Sequence, residues 1–278
     1  MTAVMERAPG GSGDGSGDGV GEGGPGGFRG AVAAEWTKLW SLRSTWWGLV
    51  GAFVVMGVMC VILGGAVASN NTNAIAEDDQ GVVAVGGIAV DAVDIVQFVV
   101  LTLAMLVITG EYSSGSIRST LQWTPSRARM LLAKASVVAG VLFPVGVALG
   151  AVGTAVAYPM LGVWGRFSVG GAVSAALACG VYLALIGVFA LGVGAVLRST
   201  AGTLTTVFLL LMVVPMMLGS GGSKVMAHIA DSLPSSAGRH FMKGDSVPYP
   251  AVAGLVILVA WVVAALWAGC VILRRRDA

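Results

Sequence analysis

Two aspartates three residues apart stand out in this chain, because ionisable side chains are scarce within its long apolar stretches. Asp91 and Asp94, with Gln97 after them, share one face of a helix, since residues three or four positions apart are neighbours on its surface. Carboxylates at membrane depth face a water-filled path or another helix. Alternatively, the helix starts one turn later and both aspartates lie at a wet rim. The sequence leaves both interpretations open.

A second concentration of polar residues is the segment 110–134. At 25 residues it is about three times longer than an ordinary connection between packed helices. Ile117 and Leu121 lie one turn apart, as in a short amphipathic helix, and Pro125 marks a turn or a new helix start. Basic residues follow at Arg127, Arg129 and Lys134. An apolar stripe with basic flanks suits docking on a soluble partner, although a basic membrane anchor without a partner explains the same residues.

Residue types that bind metals or act as nucleophiles are few and poorly spaced. The segment 220–250 holds His228, Asp231, His240 and Asp245, but their spacing matches no metal-ligand pattern. The sequence contains neither a phosphate-binding Gly-Lys loop nor a His-Glu-x-x-His or Gly-x-Ser-x-Gly motif. We therefore expect no catalytic residue, no metal site and no cofactor bound by this chain.

The elements that carry these residues are membrane spans. The chain has 278 residues, of which 56% are hydrophobic and 11% charged, against about 25% charged in a soluble domain. A span needs about 20 apolar residues. The apolar runs predict an all-α integral membrane protein with six transmembrane helices, near 47–68, 88–109, 135–159, 171–197, 203–219 and 251–273.

Two segments precede the first span. Residues 1–30 are rich in glycine, and we expect a disordered tail because such a segment buries too little side chain to offset its ordering entropy. The domain proper is then 31–278. Its first residues, up to Thr45, have an apolar stripe at helical spacing and predict an amphipathic helix lying in the membrane interface. The residues of this helix that we single out are Trp36, Lys38, Leu39, Trp40 and Arg43.

The distribution of basic residues predicts the orientation. With the N-terminus inside, 12 of the 16 lysines and arginines fall in cytoplasmic segments and 4 in external loops. An excess of basic residues marks the cytoplasmic side. The sequence therefore predicts a protein of the cell membrane with both termini in the cytoplasm, the segment 110–134 inside and the segment 220–250 outside.

Two stretches of this sequence resemble a known family. Glu35-Trp36-Thr37-Lys38-Leu39-Trp40-Ser41-Leu42-Arg43-Ser44-Thr45-Trp46-Trp47 and Gly110-Glu111-Tyr112-Ser113-Ser114-Gly115-Ser116-Ile117-Arg118-Ser119-Thr120-Leu121 are similar to the ABC-2 type transporter permeases of actinobacteria. The resemblance covers the chain from about Ala31 to Arg276. The loop after the second span is its specific part, because six spans alone fit many families.

The resemblance implies a permease subunit of an ATP-driven exporter. Such a subunit pairs with a second permease, identical or different, and binds a separate ATPase subunit that holds ATP and magnesium. The segment 110–134 would be the coupling loop. Its residues would be Glu111, at the membrane boundary, with Ile117, Arg118, Leu121, Pro125, Arg127 and Lys134.

Other classes of function stay open. One is an ion-coupled secondary transporter, for which only Asp91 and Asp94 offer a site. Another is a non-transporting sensor or immunity protein. In each case we expect membrane lipid, and no nucleic acid, as a partner; the substrate is not predicted, beyond a weak preference for an amphipathic molecule.

Overall fold

The computed structural model describes residues 27–73, 81–115, 127–220 and 222–275, and these residues are mainly helical. A π-helical turn at Leu209–Val213 joins the helix Thr200–Phe208 (α6) to the helix Val214–Gly219 (α7), so that these two helices form one rod. The helices, in chain order, are α1 (Phe28–Ser41), α2 (Arg43–Thr72), α3 (Val85–Ser114), α4 (Arg127–Leu161), α5 (Val169–Leu197), α6 (Thr200–Phe208), α7 (Val214–Gly219), α8 (Lys224–Asp231), α9 (Pro234–Lys243) and α10 (Ala251–Arg275).

Six helical segments among the described residues are long and apolar enough to cross a membrane. They are α2, α3, α4, α5, the α6–α7 rod and α10, and the shortest has 20 residues. At 1.5 Å per residue, 20 residues cover about 30 Å, the thickness of the hydrocarbon layer. The predicted fold class, an all-α membrane protein with six spans, is therefore confirmed, and the chain is a multi-pass membrane protein.

Helix α5 is the centre of the bundle. In its most apolar 18-residue window 72% of the residues are buried, against 28% for α2, 17% for the α6–α7 rod and 22% for α10. Close packing of α5 on α4 depends on glycine. A Cβ atom added to Gly146 would lie 2.8 Å from the Cα atom of Gly180, and one added to Gly150 would lie 2.8 Å from the Cα atom of Ala176. Small residues thus let these two helices approach each other closely.

Helices α3 and α4 extend into the segment that the sequence predicts as a loop. Residues 110–114 belong to α3, and residues 127–134 form the first two turns of α4. A hydropathy pattern ends a span at its first charged residues. The helices continue because Glu111 and Lys134 find partners of opposite charge within the bundle, as described below.

The bundle has two ends. The loop end holds α1, the end of α3 and the start of α4. The far end holds helices α8 and α9, together with a short parallel pairing of β1 (Val83–Ala84) with β2 (Gly165–Arg166). Helix α1 is separated from α2 by Leu42, whose backbone is extended at φ −87° and ψ 121°. This break lets α1 turn away from α2 and pack against α4.

Candidate functional site

Four charged side chains meet at the loop end of the bundle, and we call them the ion cluster: Glu35, Lys38, Glu111 and Lys134. Glu35 and Lys38 come from α1, Glu111 from the last turns of α3, and Lys134 from the second turn of α4. Helix α1 presents both of its members on one side because they are three residues apart. The cluster therefore joins three helices at the two edges of the residues 116–126, which lie outside the described part of the chain.

Lys134 is the centre of the ion cluster, and its side chain is completely buried. Its Nζ atom lies 2.7 Å from Glu35 Oε2, 2.8 Å from Glu111 Oε1 and 3.4 Å from the backbone oxygen of Val107. An ammonium group has three N–H donors. All three are thus used, two on carboxylates and one on a carbonyl of α3.

Glu111 is shared between two cations. Its Oε1 atom accepts from Lys134 and also from Lys38, whose side chain is 42% exposed. Glu111 itself is only 3% exposed, and its Oε2 atom has no hydrogen-bond partner among the described residues. The cluster contains two carboxylates and two ammonium groups, so its formal charges cancel.

The charges of the ion cluster are strongly coupled, because the loss of one destabilises the others. Each buried charge has lost its hydration, and removal of one partner leaves the other uncompensated, at a cost of about 3–5 kcal/mol. Glu35, only 8% exposed, therefore holds α1 on α4 as long as Lys134 stays in place. A displacement of the end of α3 or the start of α4 consequently reaches α1 through the same three ion pairs.

The other sequence-predicted residues of the loop end have different positions. Arg127 lies at the first position of α4 and donates to the backbone oxygen of Leu273, which links this end of the loop to the last span. Arg43 begins α2 and is exposed. Ile117, Arg118, Leu121 and Pro125 lie outside the described residues, so their predicted roles stay predictions.

The aromatic residues of α1 face away from the ion cluster. Trp36 is 46% exposed, and its ring lies 5.8 Å from that of Trp40, which in turn is 5.0 Å from the ring of Trp46 in α2. Leu39 is partly buried. Glu35 is the one residue of α1 that is classed as buried. The buried residue of α1 is thus a charged one, while Trp36 stays exposed. The position of α1 in the membrane interface stays a prediction.

Asp91 and Asp94 lie at the far end, within the first three turns of α3, which begins at Val85. Each is paired with a cation of α9. Asp91 Oδ1 lies 2.8 Å from the Nζ atom of Lys243, and Asp94 accepts from the guanidinium of Arg239. All four side chains are between 33% and 46% exposed. We call these contacts the outer pairs.

Gln97, one turn after Asp94, is buried, and both its amide oxygen and its amide nitrogen are hydrogen-bonded. Its Oε1 atom accepts from the Tyr182 hydroxyl at 2.5 Å, and its Nε2 atom donates to the backbone oxygen of Asp94 at 2.9 Å. This amide fixes the start of α3 against α5. The predicted polar face of α3 thus divides into a buried residue and two ion-paired ones.

His240, Asp231 and Tyr249 form a small polar network at the far end. His240 Nε2 lies 3.7 Å from Asp231 Oδ1, and the His240 ring packs edge-on against that of Tyr249 at 5.0 Å. Burial, with a smaller contribution from Asp231, raises the pKa of Tyr249 to about 12. Its hydroxyl therefore stays protonated near neutral pH and keeps donating to the backbone oxygen of Asp231. Within the described ranges no three potential metal ligands come together.

Sequence reasoning missed three of the residues that matter here. It named Glu35 only within the stretch that resembles the permeases, and it counted Arg239 and Lys243 only among the four basic residues of the external loops. The signal that could have found Glu35 is its position three residues before Lys38, next to an apolar stripe. Nothing local marks Arg239 and Lys243, because their partners lie in α3, far away in sequence.

The chain matches no protein-family model and no curated protein.

Proposed function

We propose that this chain is the permease subunit of an ATP-binding cassette exporter in the cell membrane. Six apolar helices provide the membrane domain, and a separate ATPase subunit would hold ATP and magnesium. Two such permeases, identical or different, would pair. The cargo would be an amphipathic molecule, consistent with helices that offer few polar groups.

The observation that carries the proposal is the ion cluster. A coupling loop must pass a force from its soluble partner into the spans. The residues 116–126 are framed by α3 and α4, and the ion cluster holds the adjoining ends of both helices and α1 together through Glu111, Lys134 and Glu35. A push on these residues would then move three helices together, as in rigid-body transitions between discrete arrangements.

The distribution of basic residues supports one orientation of the bundle in the membrane. Among the described residues most basic side chains, including Lys38, Arg127 and Lys134, lie on the side of the loop end, which the positive-inside rule assigns to the cytoplasm. An ATPase partner would therefore meet the loop end, and cargo would leave at the far end.

Co-purification in a mild detergent tests the proposal. The full chain, expressed in its own host, is expected to bring an ABC ATPase with it. The variant R118E with L121E is expected to lose the ATPase while it still inserts, because it reverses the charge and removes the apolar stripe of the loop.

The matched control is K224E with V225E, which makes the same kinds of change on exposed residues of α8 at the far end. This control should keep the ATPase. If the loop variant retains the ATPase as well as the control does, the coupling role of the loop is excluded. If the unmodified chain brings no ABC ATPase, the permease assignment itself fails.

A further inference from the structure

A cleft of about 760 Å³ opens at the far end, between α2, α3, the α6–α7 rod and α9. Its walls are mainly apolar, with Met59 and Leu63 from α2 and Leu211, Met212 and Met216 from the rod. This volume falls within the range of about 300–1,000 Å³ that is usual for small-molecule sites. Clefts that bind small molecules combine apolar walls with a few well-placed polar groups. The polar groups of this cleft therefore determine which class of ligand it could bind.

The charged residues of the cleft are unequal in sign. Asp91, Asp94 and Arg239 line it, whereas Lys243, the partner of Asp91, lines a neighbouring pocket that Asp91 borders as well. Two carboxylates therefore border the cleft with one guanidinium. Asp91 and Asp94 are three residues apart and lie on the same side of α3. The carboxylate of Asp91 is also paired with Lys243 from the neighbouring pocket.

A buried hydroxyl without a partner also borders the cleft. Ser235 is 8% exposed, and its Oγ atom has no hydrogen-bond partner among the described residues. Gln97 also lines the cleft, but Tyr182 and the backbone of Asp94 already hold its amide oxygen and one of its N–H groups. A buried polar group without a partner costs about 1–3 kcal/mol. Ser235 thus gives the cleft a polar group that a bound molecule could satisfy.

The apolar wall is adaptable. Leu211 and Met212 belong to the π-helical turn Leu209–Val213, and single π turns within α-helices occur frequently at functional sites. Methionine side chains are unbranched and polarisable, so they fit irregular apolar molecules. Met59, Met212 and Met216 place three of them around the cleft.

We propose that this cleft binds an amphipathic cation. Its hydrocarbon part would lie against Met59, Leu63 and Met212, and its ammonium group between the carboxylates of Asp91 and Asp94. There it would compete with Lys243 for Asp91 and with Arg239 for Asp94. The weak, partly exposed pairing of Asp94 with Arg239 makes this exchange inexpensive. The inference deepens the proposed function, since it names the class of cargo, but binding itself needs no ATPase.

Photolabelling of the full chain in phosphatidylcholine nanodiscs tests the site. The probe is a dodecyl chain with a diazirine and a trimethylammonium head, and the reference probe carries a sulfonate head on the same chain. Mass spectrometry is expected to find adducts of the cationic probe on Met59, Leu63 or Met212, reduced by unlabelled dodecyltrimethylammonium. Adducts spread evenly over Val54 and Val58, on the exposed face of α2, would overturn the proposal.

Three variants test the charges. D91N with D94N is expected to lower labelling of the cleft by about tenfold, the effect of losing two partly screened attractions. R239Q should raise labelling, because it frees Asp94, and a gain cannot come from misfolding. D245N is the matched control, since Asp245 is an exposed carboxylate at the same end that lines the neighbouring pocket and not the cleft.

Two results contradict the proposal. One is equal labelling of the cleft by the cationic and the sulfonate probe. The other is unchanged labelling of D91N with D94N when size-exclusion chromatography shows a monodisperse protein. The labelling and co-purification experiments test different claims. If the cleft is labelled but no ABC ATPase co-purifies, only the proposed function is refuted. If the ATPase co-purifies but the cleft is not labelled, only the binding site is refuted.

Discussion

The ion cluster at the loop end and the outer pairs at the far end use the same chemistry at different depths. Lys134 is completely buried, and Glu35 and Glu111 have side chains that are 9% and 3% exposed. The outer pairs, Asp91 with Lys243 and Asp94 with Arg239, are 33–46% exposed. Water screens the outer pairs but not the centre of the ion cluster.

This difference in exposure predicts different roles. A buried charge that loses its partner cannot be hydrated, so the ion cluster is a fixed joint between three helices. A partly exposed ion pair contributes about 0–1 kcal/mol and can be exchanged for water or for another ion. We infer that the loop end transmits movement as a unit, whereas the far end is able to exchange partners.

The largest effect should follow the removal of the central cation. K134M leaves Glu35 and Glu111 buried without their shared partner, and we expect it to lower the free energy of unfolding by about 3–5 kcal/mol. Thermal unfolding in detergent, followed by tryptophan fluorescence, measures the change. R43M, which removes an exposed cation from the start of α2, is the control and should be close to the unmodified chain.

A compensated variant sharpens this result. E35Q and E111Q combined with K134M removes both carboxylates together with their cation. Because no buried charge is then left alone at this point, we expect the triple variant to recover most of the stability that K134M loses. Equal instability of the triple variant and K134M would mean that side-chain packing, not charge, holds α1 in place.

A smaller effect is expected for the exposed member of the ion cluster. K38M removes one of the two cations on Glu111, but Lys134 still neutralises that carboxylate. The expected loss of stability is about 1 kcal/mol, and it should shrink in high salt because Lys38 is half exposed. Denaturation at low and at high salt measures both effects. A loss as large as that of K134M would place the centre of the cluster at Glu111 and Lys38.

The smallest effect should come from the outer pairs. D91N with D94N is expected to change the free energy of unfolding by less than about 2 kcal/mol, at most about 1 kcal/mol for each exposed pair. The same thermal assay as for K134M gives a direct comparison. If this variant is as unstable as K134M, the exposed outer pairs stabilise the protein as much as the buried ion cluster does, and exposure does not distinguish the two regions.

The sequence by itself determined the class of the protein and the number of its spans. Runs of about 20 apolar residues are local signals, because each helix satisfies its backbone hydrogen bonds within itself wherever it lies in lipid. The length of the segment 110–134 marked it as unusual, and its basic flank selected Lys134. Glu111 was selected only by the resemblance to the permease family. Helical spacing selected the helix that carries Lys38. It also placed Asp91 and Asp94 on one face of the second span.

Only the tertiary structure decided which charges meet. Glu35 and Lys134 are 99 residues apart in the chain, and the cations that pair with Asp91 and Asp94 come from a helix beyond the fifth span. Local periodicity reports the side of a helix on which a residue lies, but not which helix packs against that side. Helix packing supplied the partners, and the partners let α4 continue through Lys134, where the hydropathy pattern had ended the span.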